Sequence, residues 1–452
     1  MTIRLYNTKT RTKQDFVPLL PDHVRLYACG PTVYDRIHVG NARPLVVFDV
    51  LVRLLRSAFA KVTYVRNITD VDDKINARAA ERGISIAELC EQTIMSFHQD
   101  CQALAVLPPD EEPRATDHIS QMIEMIKTLI EKGFAYEAEG HVLFAVEKMP
   151  EYGQLSGRSL DEMIAGARVE VAPYKAHPAD FVLWKPAEAD MPGWDSPWGR
   201  GRPGWHIECS AMSADYLGTE FDIHAGGLDL IFPHHENEIA QSVCAHGTSQ
   251  MAAFWIHNGY VTVEGEKMSK SLGNFTTVED ALARHKGEVV RFSLLSSHYR
   301  APFDFSDAAL SQARAILDKF YRAAERADIA NLPSGLDGLD KEFVSALCDD
   351  MNTPLAITCL HRLAGEANKG DAESAAQLIS CARLLGLLDD PNWFESSHEN
   401  AGDAGAIEQA IVARNAARAA RDFAEADRIR DELASQGIKL LDGPDGTRWE
   451  RA

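Results

Sequence analysis

The first apolar stretches of the chain predict a strand, a helix and a second strand. Residues 23–29 alternate between apolar and polar positions and are followed by Gly30 and Pro31, which is typical of a strand that ends in a loop. Apolar residues then recur at helical spacing from Asn41, a good N-cap, to Arg56, and residues 61–69 again favour a strand. The pattern predicts one βαβ unit whose first loop lies at the carboxyl end of a parallel sheet, where phosphates bind well.

A second block repeats this pattern further along the chain. Residues 221–227 have the composition of a buried strand, and Pro233 suits the first turn of a helix that continues to His246. The stretch between the two blocks, about residues 112–202, has the character of an insertion that splits the sheet. Its latter part is rich in Pro, Gly and Trp, which favours loops over regular elements.

Helical spacing dominates the rest of the chain. Apolar stripes at 313–321 and at 343–351 predict a helix bundle, and the Ser- and Asn-containing residues 390–405 favour a linker. Residues 407–436 then predict one helix closed by Gly437. A hairpin is predicted over 438–449, with its turn at the Gly-Pro-Asp-Gly sequence 443–446.

The fold class that these patterns predict is α/β. A Rossmann-like domain with a parallel sheet is split by an insertion and followed by an α-helical bundle and a small α+β C-terminal domain. The predicted boundaries are 1–111 and 204–258 for the two halves of the sheet domain, 112–203 for the insertion, 259–305 for a Lys-rich region, 306–390 for the bundle and 405–452 for the terminal domain.

Composition narrows the class of protein. No segment approaches the roughly 18 apolar residues of a membrane span, so we expect a cytoplasmic protein. The 8 cysteines form no CxxC pair and are too sparse for a disulfide scaffold. A formal charge of −21 argues against a sequence-independent nucleic-acid coat, but it is compatible with a locally basic RNA-binding face.

Two loops suit the binding of phosphates. The sequence Lys267-Met268-Ser269-Lys270-Ser271 places two lysines three residues apart between glycines, which suits a polyphosphate, although a solvated basic turn is the alternative. The first βα loop combines small residues with hydrogen-bonding side chains, and a tight structural loop is its alternative. The residues concerned in that loop are Thr32, Tyr34, His38, Gly40 and Asn41.

A third group of residues has the chemistry of metal ligands. His234 and Glu238 stand at positions i and i+4 of a helix and so share one face. This spacing alone allows a metal site or an ordinary surface histidine with a helical partner. The HExxH pattern of zinc proteases is absent, because Ile239 stands where its second histidine must be.

Taken together, these motifs resemble those of the cysteinyl-tRNA synthetases, a family of class I aminoacyl-tRNA synthetases. The resemblance extends over nearly the whole chain. It is carried by residues 29–35 (CGPTVYD), 64–70 (YVRNITD), 204–210 (GWHIECS), 232–238 (FPHHENE) and the KMSKS sequence at 267–271.

The resemblance implies ATP-dependent activation of L-cysteine to cysteinyl-adenylate. The cysteinyl group then passes to the 3′-terminal adenosine of tRNA(Cys), and AMP and pyrophosphate are released. It also implies Mg²⁺ bound with ATP and one Zn²⁺ per chain. The zinc ion would discriminate between cysteine and serine, because it binds a thiolate better than a hydroxyl. The expected state is a monomer. The implied zinc ligands are Cys29, Cys209, His234 and Glu238.

The resemblance assigns further roles residue by residue. Without the resemblance, Trp205 could be a core aromatic residue and Asp229 a helix cap. His38, Lys267 and Lys270 are the implied catalytic residues, and Ser269 joins the ATP site. The implied cysteine pocket consists of Gly30, Thr69, Trp205 and His224, and the adenosine is expected against Gly226, Gly227 and Asp229.

Two residues depart from the class I signature His-Ile-Gly-His, which here is His38-Val39-Gly40-Asn41, and of the two only Asn41 changes the chemistry. Asn41 offers a neutral amide where the family signature has a histidine. We therefore expect His38 to keep the phosphate-binding role and Lys267 and Lys270 to compensate for part of the loss.

The remaining domains are expected to bind tRNA. The resemblance implies that 112–203 and 259–305 contact the acceptor stem and that 405–452 reads the anticodon. The alternative for any single arginine in 405–452 is that it forms an ordinary salt bridge on the surface of a helix. The candidate contacts are Arg414, Arg418, Arg421, Arg448, Trp449 and Arg451.

Two rival functions are considered. One is the related cysteine ligase of mycothiol biosynthesis, in which residues 405–452 have no role. The other is a non-catalytic RNA-binding paralogue, against which the intact KMSKS sequence and the four ligands speak.

Overall fold

The computed structural model describes residues 2–160, 162, 172–189, 191–263, 265–268, 273–325, 327, 329, 332–394, 401–420, 422–435, 437–443 and 446–451. The chain divides into two compact units, Met1–Leu388 and Asp389–Ala452, which are described separately. The finer domain boundaries expected from the sequence stay predictions.

The strands of the first unit are β1 (Arg4–Asn7), β2 (Thr12–Asp15), β3 (His23–Ala28), β4 (Lys61–Arg66), β5 (Ala135–Ala138), β6 (His141–Phe144), β7 (Phe181–Pro186), β8 (Gly201–Pro203), β9 (Phe221–Gly227), β10 (Ala252–Asn258), β11 (Val261–Val263), β12 (Glu266–Lys267) and β13 (Phe303–Asp304). The second unit contains β14 (Ile438–Gly443) and β15 (Gly446–Arg451).

The α-helices of the first unit are α1 (Val39–Ala58), α2 (Asp73–Arg82), α3 (Ile86–Ala103), α4 (Ile119–Glu131), α5 (Trp205–Leu217), α6 (Glu236–His246), α7 (Val278–Leu282), α8 (Gly287–Leu295), α9 (Asp307–Ala324), α10 (Lys341–Cys348), α11 (Thr353–Asn368) and α12 (Ala372–Leu384). The second unit contains α13 (Ala401–Ala419) and α14 (Phe423–Ser435). In the part of the chain that is described, every helix is too short or too polar to cross a bilayer.

The central sheet is parallel and has the strand order β10-β9-β3-β4. Its strands are largely buried on both faces, as expected of a sheet that helices cover on both sides, and Leu26, Val65 and Ile223 are fully buried. The predicted βαβ unit β3-α1-β4 is confirmed. Since β3 and β9 are neighbours, the backbone N–H of Cys29 donates to the carbonyl of Ala225, which brings two strand ends together.

Helix α1 begins three residues earlier than its pattern predicts. His38, rather than Asn41, is the N-cap, and its imidazole accepts a hydrogen bond from the backbone N–H of Asn41. The Asn41 side chain accepts in turn from the backbone N–H of His38 at 3.3 Å, which completes a capping box. The prediction that Asn41 is the N-cap was therefore wrong by three residues, although its side chain takes part in the capping box.

The insertion contains more regular structure than its composition suggests. An antiparallel sheet with the order β5-β6-β7-β8 packs its fully buried Phe144 and Trp184 into the core beside α4. The expectation that its latter part consists mainly of loops was wrong for β7 and β8. Trp184 is fully buried in the core, and Trp194 and Trp198, which lie between β7 and β8, are partly buried against it.

A small sheet with the order β12-β11-β13 follows the central sheet and carries Lys267, which pairs with Thr262. The predicted helical stripes are confirmed by α9 and α10, whose Leu317, Phe320 and Phe343 are fully buried.

The second unit has its own core, formed by Ile407, Ile411, Ile429, Leu433 and Ile438. The prediction of a single helix over 407–436 was wrong, because α13 and α14 are separate helices. At the start of α14, the Asp422 carboxylate accepts a hydrogen bond from the backbone N–H of Glu425. The hairpin prediction is confirmed by the pair Gly443 and Gly446, whereas its turn residues 444–445 lie outside the described residues.

Candidate active site

Four predicted metal ligands converge at the carboxyl end of the central sheet. Cys29 follows β3, Cys209 lies on α5, His234 precedes α6 and Glu238 lies in the first turn of α6. One ligand atom from each lies within 4.8 Å of the others. Cys209, His234 and Glu238 are at most 2% exposed, so the cluster is nearly dry.

A second ligand set shares Cys29 and Glu238. His224 and His235 complete it, again within 4.8 Å. His224 Nε2 lies 2.7 Å from one carboxylate oxygen of Glu238, and His235 Nε2 lies 3.4 Å from the sulfur of Cys29. The sequence indicated His224 as part of the cysteine pocket and did not indicate His235, although the doublet at 234–235 is a visible signal.

The charges within the cluster suit a cation. Burial favours the protonated form of the Glu238 carboxyl. The neighbouring His224 and His234 nevertheless hold its pKa well below its ordinary value. Burial likewise disfavours the charged form of His234, but Glu238 and Cys209 raise its pKa to about 10. A hydrogen bond from the Cys29 thiol lowers the pKa of Cys209. Buried anions are thus balanced here by protons, which a divalent cation can replace.

Hydrogen bonds behind the ligands orient their rings. The Nδ1 atoms of His206 and His234 lie 2.9 Å apart, so that Nε2 of His234 faces Glu238 at 3.0 Å. Behind the second set, His235 Nδ1 contacts His257 Nε2 at 2.8 Å, and His257 Nδ1 contacts the Thr8 hydroxyl at 2.8 Å. Burial lowers the pKa of His206 and His257 to about 3, which keeps both rings neutral. Outer contacts of this kind are typical of metal sites.

A cavity of about 410 Å³ opens beside the cluster. Arg36, Arg66 and Lys74 also line this cavity, and the sequence reasoning gave them no role, although Arg66 lies in the motif at 64–70. The predicted residues that line this cavity are Cys29, Gly30, Thr32, Tyr34, His38, Gly40, Asn41, Trp205, Gly227, Asp229 and Lys267.

Other predicted pocket residues lie behind the wall. Among the described residues, Thr69, His224 and Gly226 are buried and are not part of the cavity lining. Thr69 donates from its hydroxyl to Glu208 at 3.1 Å, and a Cβ on Gly226 would lie 2.8 Å from the His235 ring. These residues are therefore placed to support the cavity from behind.

Lys267 stands at the open edge of the cavity. Its side chain is 48% exposed, and its Nζ lies 3.8 Å from Asp229 and 4.0 Å from the centre of the Tyr260 ring. Ser269 and Lys270 lie outside the described residues. The cation is thus held beside the cavity and remains open to a ligand.

The candidate tRNA contacts lie in the second unit. Arg414 is only 7% exposed, so its guanidinium is badly placed for RNA, in contrast to the sequence expectation, whereas Arg418 is exposed. Trp449 packs on the apolar core of this unit, which gives it a structural role. Arg421 and the side chains of Arg448 and Arg451 lie outside what the structure describes.

Known proteins share this fold. The family model of the tRNA synthetases class I (C) catalytic domain matches residues 15–315, and the DALR domain model matches 342–390. Methionyl-tRNA synthetase of Mycobacterium tuberculosis, solved with methionyl-adenylate, has the same fold with a TM-score of 0.57, at 16% identity over 80% of this chain and 89% of that one. Fold and site therefore define a class I aminoacyl-tRNA synthetase.

Relatives in sequence show which family of class I synthetases the chain belongs to. The cysteine–tRNA ligase of Rhodospirillum rubrum is 59% identical, and that of Paramagnetospirillum magneticum is 60% identical, each over 100% of both chains. The chain belongs to the cysteine–tRNA ligase family. The fold class and the family predicted from the sequence are confirmed.

Proposed function

We propose that this chain activates L-cysteine with ATP and transfers it to tRNA(Cys). The observation that carries the proposal is the buried Cys, His and Glu cluster, which opens directly beside a cavity lined by His38 and Lys267. One end of such a site can select a thiol, while the other can neutralise a polyphosphate. The protein is expected to act as a monomer in the cytoplasm, with ATP supplied as its Mg²⁺ complex.

The donor set fits zinc. Two thiols, one imidazole and one carboxylate are ligands that Zn²⁺ accepts, and the pair of thiols favours Cys29, Cys209, His234 and Glu238 over the set that contains a single thiol. When bound, zinc supplies a soft Lewis acid that prefers the thiolate of cysteine to the hydroxyl of serine. The chain itself contributes the orientation of His234 through His206 and the exclusion of water from the cluster.

The phosphate side contributes position and charge. In the proposed first step, the carboxylate of cysteine attacks the α-phosphate of ATP and pyrophosphate leaves. In a neutral imidazole whose Nδ1 accepts the backbone N–H of Asn41, Nε2 carries the proton, and His38 can donate this proton to a phosphate oxygen. Lys267 and Lys270 balance the charge of the leaving pyrophosphate. No side-chain nucleophile is required, so the rate comes from orientation and electrostatics.

The second step transfers the cysteinyl group to tRNA. A ribose hydroxyl of the 3′-terminal adenosine attacks the carbonyl carbon of the adenylate and releases AMP. Arg418, which is exposed on α13, is the best-supported candidate for an RNA contact in the second unit. The mycothiol-type cysteine ligase is less well supported, because the relatives that match this chain over its full length carry the name cysteine–tRNA ligase.

The test combines metal analysis, cysteine-dependent ATP–pyrophosphate exchange and tRNA charging on one purified preparation. We expect one zinc per chain, exchange with cysteine but not with serine, and cysteinylation of tRNA(Cys). Exchange without charging would favour the mycothiol-type ligase, and the absence of both would favour an RNA-binding paralogue.

A matched pair of variants tests the proposed phosphate role. Lys270→Ala is expected to reduce exchange severely and leave the zinc content unchanged. Lys369→Ala, at a side chain that is 71% exposed on the bundle, is the control and is expected to change neither value. Unaltered exchange in Lys270→Ala would contradict the role given to Lys270.

A further inference from the structure

Arg43 is a fully buried arginine that the proposed mechanism does not use. Its side chain extends from α1 and donates four hydrogen bonds. Nη1 donates to the carbonyl oxygens of Gly259 at 3.0 Å and Tyr260 at 2.8 Å. Nη2 donates to the hydroxyl of Ser297 at 3.0 Å and to the carbonyl oxygen of His298 at 3.2 Å. All four acceptors are neutral.

Such an arrangement is costly. Burial lowers the pKa of Arg43 to about 10, which reflects the penalty for a charged group away from water. Its Nε is also buried without a partner in the described part of the chain. An apolar side chain of similar size would fill the same space more cheaply. What the guanidinium supplies instead is a planar group that fixes two backbone segments at once.

The two segments flank the sheet that carries Lys267. Gly259 and Tyr260 connect β10 to β11, while Ser297 and His298 lie between α8 and β13. These segments are packed tightly together, since a Cβ on Gly259 would lie 2.6 Å from the carbonyl oxygen of Ala301.

The same connection forms part of the ATP cavity. Gly259 and Tyr260 line the cavity, and the Tyr260 ring lies beneath the ammonium of Lys267 at 4.0 Å. A shift of this connection would therefore move both the cavity wall and the lysine.

We propose that Arg43 is a positioning residue for the activation of cysteine. It fixes the sheet that carries Lys267 relative to α1, whose N-cap is His38, and so sets the distance between the two groups that contact the phosphates. This inference rests on the proposed function, because it assigns a role within the same site. Arg43 itself lies behind the cavity wall and acts through Gly259 and Tyr260.

The test compares Arg43→Lys with Arg291→Lys. Lysine is the conservative replacement, but its single nitrogen cannot bridge both segments. We expect kcat/KM for ATP in pyrophosphate exchange to fall about 100-fold, the effect of a small misplacement of reacting groups. The KM for cysteine should stay within about twofold and the zinc content at one per chain, since the cluster does not involve Arg43.

Arg291 is a matched control. It is also fully buried, and it donates to the carbonyls of Leu385 at 2.7 Å and Leu104 at 3.0 Å and to Asp49. Arg291→Lys should lower Tm but leave the ATP parameters of the folded enzyme unchanged. A merely structural role for Arg43 would give equal losses in the two variants and would overturn the inference.

A milder variant keeps the test decisive if Arg43→Lys does not fold. Ser297→Ala removes one of the four hydrogen bonds and should lower kcat/KM for ATP about fivefold, the worth of one hydrogen bond. Unchanged ATP parameters in Ser297→Ala would then overturn the inference alone. Absence of exchange in the unaltered chain would overturn the proposed function and this inference together.

Discussion

The two ends of the candidate site are built differently. At the cluster, His234 and Glu238 are 1% and 0% exposed, and their ring and carboxylate atoms are held by neighbouring side chains. At the phosphate end, the side chains of Lys267 and Asp229 are 48% and 59% exposed. One end is dry and fixed by its neighbours, whereas the other is open to water.

This difference follows from what each end must recognise. The thiol of cysteine differs from the hydroxyl of serine by one atom. Selection of cysteine therefore needs metal-ligating side chains that water does not reach and that cannot adjust to the wrong amino acid. A triphosphate is large and highly charged, and its recognition requires cations that are accessible at the edge of a cavity. Substitutions at the buried end should therefore abolish the site, whereas those at the open end should weaken it in steps.

The largest effect is expected at the buried end. Cys209→Ala removes a thiol from the proposed zinc ligands, so we expect loss of most of the zinc and a fall in cysteine-dependent exchange of at least about 10³-fold. Cys244→Ala is the control, because Cys244 is also buried but lies outside both ligand sets in the described chain. Full zinc content in Cys209→Ala would favour the alternative set with His224 and His235.

A smaller effect is expected at the open end. Lys267→Ala removes a cation that would stabilise the leaving pyrophosphate, and we expect a fall in kcat of about 100-fold. Zinc content and the KM for cysteine should not change, because Lys267 contacts Asp229 and Tyr260 rather than the cluster. A loss of zinc in this variant would break the separation of the two ends.

The same contrast explains how far the sequence could be interpreted. The four proposed ligands were predicted because they lie in motif strings that resemble a family, and the structure brings them together. The second set was missed, since the distance from His235 to Cys29 depends on the tertiary packing that brings the residue before α6 next to the residue after β3. Arg43 was missed for a similar reason: its partners lie more than 200 residues away along the chain.

The terminal unit shows the limit of helical periodicity. Arg414 and Arg418 were both expected to contact tRNA, but Arg414 follows Ile407 and Ile411 at helical spacing, on the side of α13 that packs on the core. Arg414 is consequently buried and Arg418 is exposed. A periodic pattern locates a helix more reliably than it identifies the surface against which the helix packs.

Trp205 contacts the cluster and also lines the cavity, and we expect its substitution to have an effect smaller than that of Lys267→Ala. Its ring is stacked on His234, with 4.1 Å between centroids and 18° between planes, and the residue is 40% exposed to the cavity. Trp205→Ala should raise the KM for cysteine about tenfold, since the ring both covers the ligand and orients the imidazole. Trp205→Phe keeps an aromatic ring and should recover most of this loss. An equal loss in both variants would contradict the stacking role.

The smallest effect is expected at Asn41, although the class I signature has a histidine there. Asn41 already serves the open end by completing the capping box with His38. In Asn41→His, the new ring would lie at the positive end of the helix dipole, which disfavours its protonated form. A neutral imidazole adds little to a neutral amide, so we expect the exchange rate to change by less than about threefold. Asn41→Ala removes one of the two hydrogen bonds of the capping box and leaves His38 as the N-cap, so it should cost at most about 1 kcal/mol of unfolding free energy. A rate increase of orders of magnitude in Asn41→His would mean that the open end lacks a cation that its two lysines do not replace.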